Sequence, residues 1–261
     1  MLEIYLIILL TGIGVSFIST LFGLGGGIIM VPILSLILPY SHLEAVATSL
    51  TTIVFVASFN TYNFQKRKVI VWRIVPWIAL TSSAFAFSAA KYSTEIPLKI
   101  LIVIFILFLI WVAMRTFLIK KEEQKSEAEN TSKILPLGIG SLSGIISGFT
   151  GIGGGGITTP LMLVSRLVSN VQAAPTSNAI MIFTALFGSI SFALKTNVSN
   201  HDFVFGYVHL DTALLLFLGS ALFSRVGVKL NDKFSLFWRK TILGLLLLFI
   251  CIRLIFMLVY S

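Results

Sequence analysis

The chain has 261 residues, of which 57% are apolar and only 11% charged, with a mean hydropathy of +1.00. A soluble domain carries about 25% charge, so the composition places the chain in the membrane class and leaves no stretch long enough for a separate soluble domain. The net charge of +9 would point to nucleic acid in a soluble protein. Here Lys and Arg sit in short connections between apolar runs, so they read as topology signals and no nucleic-acid partner is expected.

The first apolar run, residues 2–22, has no basic segment before it and no small-residue cleavage site after it, and is expected to be a retained helix rather than a signal peptide. The glycine cluster FGLGGGI at 22–28 follows, then a short apolar segment at 28–38 and longer predicted helices at 43–64, 69–90 and 97–117. Residues 120–133, KKEEQKSEAENTSK, mix both charges without apolar periodicity and read as a solvated linker. The same series then recurs: a helix at 134–149, the cluster TGIGGGG at 150–156, a short segment at 157–168, and helices at 171–194, 203–224 and 237–260. Each short segment, at about 12 residues, rises only about 18 Å as helix, against a hydrocarbon core of about 30 Å. Such a segment is re-entrant or part of a broken helix, and its irregular backbone must be buried in protein or line a cavity.

The recurrence is a duplication. An ungapped shift of 128 residues aligns 12–64 with 140–192, and 17 of these 53 positions are identical. They include Ser19/Ser147, Gly23/Gly151, Gly25/Gly153, Gly26/Gly154, Gly27/Gly155, Pro32/Pro160, Thr48/Thr176 and Ser49/Ser177. Two unrelated apolar sequences match Leu with Leu by chance, but not Gly, Pro, Thr and Ser at one offset. The domain reading is a first repeat at 1–118, a cytoplasmic linker at 119–133 and a second repeat at 134–261.

Orientation follows from the loops. Residues 65–73 hold Lys66, Arg67, Lys68 and Arg73 with no acid, and 225–240 hold five basic residues against Asp232 alone; both are expected inside. The first basic loop precedes the fourth segment of its repeat, whereas the second follows it, so the halves are expected to have opposite topology, with both termini outside. The fold class expected is all-α and polytopic: two inverted-topology repeats, about 8 spanning helices plus two short broken or re-entrant segments, an architecture common among secondary transporters.

The paired clusters carry the candidate chemistry. Glycine permits positive φ and close backbone approach, so each cluster can unwind a helix and aim backbone N–H groups at one cavity ahead of a helix N-terminus, where an anion is favoured. A packing role alone would need only a GxxxG pair, whereas both halves carry three or more consecutive glycines. No GK[ST] ending or βαβ context supports a nucleotide loop. The candidate substrate-binding residues are therefore Gly23, Gly25, Gly26, Gly27, Thr48 and Ser49 in the first half, and Gly151, Gly153, Gly154, Gly155, Thr176, Ser177 and Asn178 in the second. Back-bonding of the hydroxyls to their own helices is the alternative for the Thr and Ser positions.

His209 and Asp211 are ionisable residues near an apolar run and form a possible proton-coupling pair, against a plain interfacial reading. Glu44, whose repeat mate is Gln172, reads as helix N-terminal stabilisation. Asn60, Tyr62 and Asn63 are not duplicated and read as interfacial. Arg253, within the last run, is expected to snorkel or to face the bundle. The single Cys251 reads as lipid-facing or packing filler. No catalytic motif, metal-ligand cluster or cofactor signature is present, so an enzyme is not expected.

FGLGGGIIMVPIL at 22–34, TGIGGGGITTPLML at 150–163, ATS at 47–49, PTSN at 175–178 and VIVWR at 69–73 resemble the TauE/SafE sulfite exporter family, also called the toluene sulfonate uptake permease family. The resemblance covers essentially the whole chain. It implies a multi-pass carrier in a prokaryotic plasma membrane, with the lipid bilayer and a small anionic solute as partners, the solute being sulfite, a sulfonate or a related organic acid. One departure is DFVFGY at 202–207, which does not repeat the Trp–Arg pair of the first half. An anion channel built on the same donors, and a non-transporting membrane scaffold, are the competing classes.

Overall fold

The computed structural model describes residues 2–22, 26–118, 134–195, 203–231 and 236–260. Gly23, Gly25, the whole 119–133 linker, the 196–202 connection and Asp232 lie outside the described residues. The described residues form ten helices. In chain order these are α1 (Leu2–Phe22), α2 (Gly27–Leu36), α3 (His42–Gln65), α4 (Val75–Ser93), α5 (Leu98–Leu118), α6 (Ile134–Thr150), α7 (Gly155–Val164), α8 (Asn170–Ala193), α9 (Leu210–Asn231) and α10 (Leu236–Tyr260). The protein is thus all-α, with the two short segments expected from sequence appearing as the ten-residue helices α2 and α7.

Two expected boundaries are corrected. Helix α4 begins at Val75 rather than 69, because Lys68 takes a φ of 54° that ends the preceding turn and Pro76 sits in the first turn of α4, where a missing N–H is harmless. The run at 203–224 does not start as helix either. A small antiparallel hairpin, β1 (Val204–Phe205) paired with β2 (Val208–His209), turns at Gly206 with φ 56° and precedes α9.

Helices α3 and α8 form the centre. Both are long and apolar enough to cross a membrane by length and composition, and most of each is buried. They pack on each other, and each packs on a helix of the opposite half, α3 on α9 and α8 on α4. The other principal contacts, α4 with α6 and α1 with α9, also join opposite halves. Small residues make them possible. Gly140, Gly144 and Gly148 form one stripe of α6 at four-residue spacing, and a Cβ on any of them would strike the carbonyls of Ile78, Ser82 and Ala86 on α4. Gly12 and Gly219 do the same for α1 and α9, against Leu216 and Leu9.

The start of α3 shows how local sequence fixes a helix end. The Ser41 N–H donates to Glu44 Oε2 at 2.8 Å and the Glu44 N–H donates to Ser41 Oγ at 3.3 Å, a reciprocal capping box. At the repeat-related position, the Ser169 N–H donates to Gln172 Oε1 at 3.1 Å at the start of α8. Both ends thus use a Ser with an acceptor three residues on, and only one uses a charge.

Candidate functional site

The second glycine cluster is a complete helix break. After α6 ends at Thr150, Gly151, Gly153 and Gly154 take φ values of 73°, 78° and 84°, a left-handed region that costs other residues about 1–2 kcal/mol each. Gly154 serves as the N-cap of α7, and its carbonyl accepts from the N–H groups of Ile157 and Thr158 at 3.0 and 2.9 Å. The first break has the same ending: Gly26, at φ 75°, caps α2, and its carbonyl accepts from Ile29 and Met30, both at 3.1 Å. In each half the break therefore delivers a helix N-terminus, with its outward N–H groups and partial positive charge.

The two breaks touch. A Cβ on Gly27 would lie 2.7 Å from both Gly151 O and Ile152 Cα, and one on Gly156 would lie 3.7 Å from Ile28 Cδ1. The start of α2 thus faces the second break and the start of α7. Around them α3 contributes Val46 and Ile53 against Gly151 and Gly153, and α8 contributes Thr184 and Met181 against Gly154 and Gly155. Ser49 Oγ donates to Gly151 O at 2.8 Å, a bond from the first half to the second break. Ser177, its repeat mate, is 1% exposed, and its hydroxyl has no partner among the described residues. Met181 and Thr184 lie four and seven positions after Ser177, on the helix face that meets the second break. The carbonyl related by repeat to Gly151 O belongs to Gly23, outside the described residues.

The hydroxyls of Thr48 and Thr176 have another partner each. Thr48 Oγ1 accepts from the His209 N–H at 3.2 Å, and Thr176 Oγ1 accepts from the Val71 N–H at 3.1 Å. Each threonine holds the segment leading into a helix of the opposite half, α9 or α4. Asn178 donates to Ala174 O at 2.8 Å, and its Oδ1 accepts from Asn60 at 3.2 Å. Asn60 is thereby tied into the α3–α8 interface, while Tyr62 and Asn63 are exposed.

Several polar groups were not singled out in the sequence. Ser143 on α6 donates to Gly154 O at 3.1 Å and bonds Thr158 at 2.7 Å, Ser82 meets Thr184 at 2.6 Å, and Thr51 meets Ser189 at 2.6 Å. Ser147, one turn beyond Ser143 on the same face, is fully buried and its hydroxyl is unpartnered among the described residues. Helical spacing from Ser177 to Thr184 and from Ser143 to Ser147 was the available signal. Among the described residues the buried polar side chains are Ser, Thr, Asn178 and His42, and no Lys, Arg, Asp or Glu is buried.

His209 packs beside Glu44 and Tyr40. Its Nε2 lies 3.4 Å from Glu44 Oε1 and its ring meets Tyr40 edge-on at 4.7 Å, while Tyr40 Oη bonds Thr212 at 2.7 Å. Asp211 lies in the first turn of α9, half-buried. Arg253 is exposed, and Cys251 is half-buried against the main apolar core.

No solved structure matches the chain. Among curated proteins, a probable membrane transporter protein of Methanocaldococcus jannaschii is 28% identical over 236 residues, covering 88% of this chain and 87% of the relative. Two probable membrane transporter proteins of Haemophilus influenzae are also similar: one is 36% identical over 67% of each chain, the other 27% identical over 97% of this chain and 98% of its own length. The family model described as sulfite exporter TauE/SafE matches residues 8–254. A chain matched so nearly throughout, with its paired glycine breaks inside the match, belongs to the TauE/SafE sulfite exporter family of multi-pass membrane transporters.

Proposed function

We propose that the chain is a secondary transporter that carries a small, sulfur-containing anion across a prokaryotic plasma membrane by alternating access, and that the anion binds at the paired glycine breaks. The observation that carries this reading is the apposition of Gly27 with Gly151 and Ile152, which brings two helix N-termini of opposite halves together in an interior furnished with neutral hydroxyls. Converging N–H groups at positive helix ends suit an anion. A site without a full countercharge binds it loosely enough for release. Exchange of partners between the halves, α4 on α6 and α9 on α1, supports a two-fold relation between the repeats, and the basic loops give the inverted orientation of this reading. In this reading the loop at 65–73 faces the cytoplasm and both termini lie outside.

The test is flux of labelled sulfite, sulfonates and carboxylates in proteoliposomes, with and without a proton gradient, for the native chain and Gly153→Leu. The side chain would meet Ile53 Cγ2 at 2.8 Å and would have to adopt φ 78°. Loss of flux in a correctly inserted, monodisperse variant is the expected result. Near-normal flux would assign the breaks to packing, and uncoupled passive conductance would favour a channel.

A further inference from the structure

An apolar groove of about 930 Å³ runs between α4 and α8, away from the glycine breaks. Its walls include Trp72, Ala79, Leu80 and Phe87 on one side and Phe183 and Phe187 on the other. Two of its polar groups are satisfied within the protein: Ser88 Oγ donates to Ala84 O at 2.9 Å, and Phe87 O accepts from Ser191 at 2.9 Å. From Val75 to Ser88 the groove follows α4 for about 20 Å, more than the roughly 15 Å depth of one leaflet's hydrocarbon. It is therefore long enough for an extended acyl chain.

One end is marked by charge. Trp72 closes the groove, and its Nε1 donates to Gln65 Oε1 at 2.8 Å, which pins the groove mouth to the residue before Lys66. Lys66, Arg67 and Lys68 are exposed there, in a tight turn where Arg67 N–H donates to Phe64 O and Lys68 N–H to Gln65 O, and no acid lies between 65 and 73. Lys66 Nζ sits 4.3 Å from the Tyr62 ring centroid, over the ring, so the aromatic face helps to hold the cation. The α4 N-terminus, beginning at Val75, adds its partial positive charge at the same end.

We infer that this groove is a binding site for an anionic phospholipid, with an acyl chain along α4 and α8 and the phosphate headgroup at Lys66, Arg67, Lys68 and the start of α4. The inference rests on the membrane location of the family and on the cytoplasmic placing of the basic loop, where the leaflet is anionic. It does not depend on which solute is carried.

Native mass spectrometry of the purified full-length chain in uncharged detergent tests it, using phosphatidylglycerol and phosphatidylcholine with identical acyl chains. Retention of phosphatidylglycerol on the order of tenfold above phosphatidylcholine is expected. Lys66→Gln, Arg67→Gln and Lys68→Gln together should erase that preference. Ala84→Phe, at an exposed position in the groove wall, should lower retention of both lipids. Raising salt from about 0.1 M to about 1 M, which shortens the Debye length from about 10 to about 3 Å, should weaken the preference in the native chain without any substitution. Equal retention of the two lipids, a preference that survives the triple substitution or high salt, or unchanged retention in Ala84→Phe would each overturn the site. So would a native dimer that Ala84→Phe converts to monomer, since the groove would then hold a second copy of the chain.

Discussion

Thr176 is a candidate solute donor by sequence, yet its hydroxyl oxygen is engaged by the Val71 N–H. Replacing it with Val keeps the shape and removes the acceptor, which leaves a donor unpaired. A loss of about 1–3 kcal/mol is expected, read as a lower unfolding midpoint and faster amide exchange at Val71. Thr176→Ser should retain the midpoint. If Thr176→Val instead left stability unchanged and weakened only solute binding, the threonine would belong to the solute and not to the loop. Ser177 gives the opposite expectation. Its hydroxyl makes no bond among the described residues, so Ser177→Ala should cost little stability while reducing flux, as judged by parallel unfolding and proteoliposome assays.

At the scale of the element, the glycines divide into two kinds. Gly140, Gly144 and Gly148 keep ordinary helical geometry and serve contact, whereas Gly151, Gly153 and Gly154 serve backbone conformation. Gly144→Leu would drive a side chain into the backbone at Ser82 and Ala86 and should destabilise by about 3 kcal/mol or more. Gly138→Leu, on the same helix with nothing within 4 Å of its Cβ, should stay within about 0.5 kcal/mol of the native chain. Thermal unfolding in detergent separates the two, and equal midpoints would refute the packing role of the stripe. The glycine clusters and the short segments were legible in sequence because each is a local rule: glycine for positive φ, and about 12 apolar residues as too few to span. The late start of α4 and the hairpin before α9 were less legible. Residues 69–73 and 203–209 are apolar enough to pass for helix; the turn at Lys68 is a local one, closed by its N–H on Gln65 O, whereas the turn at Gly206 packs against the carbonyls of Phe192 and Ala193. The partners of Thr48, Thr176 and Asn178 were likewise hidden, because a hydroxyl or amide in a helix carries no signal of what approaches it from another half.

For the whole molecule, orientation is the open expectation that charge makes testable. Single cysteines at Lys66 and Lys229, in a Cys251→Ser background, should both be labelled from the cytoplasmic side, and one at Lys91 from outside. Labelling of Lys66 and Lys229 positions from opposite sides would rule out the inversion. The exchanged packing also has a consequence for how the chain is made. The glycine face of α1 at Gly12 finds its partner only when Leu216 and Gly219 of α9 arrive, about 200 residues later. At ordinary rates of synthesis that is a wait of about 10–40 s. During this interval the first helix sits in the bilayer with a bare backbone groove, open to lipids, to quality-control proteases and to the wrong neighbour. A chain interrupted before α9 would lack the surface that covers α1, so its fragments should be cleared rather than persist as half-carriers.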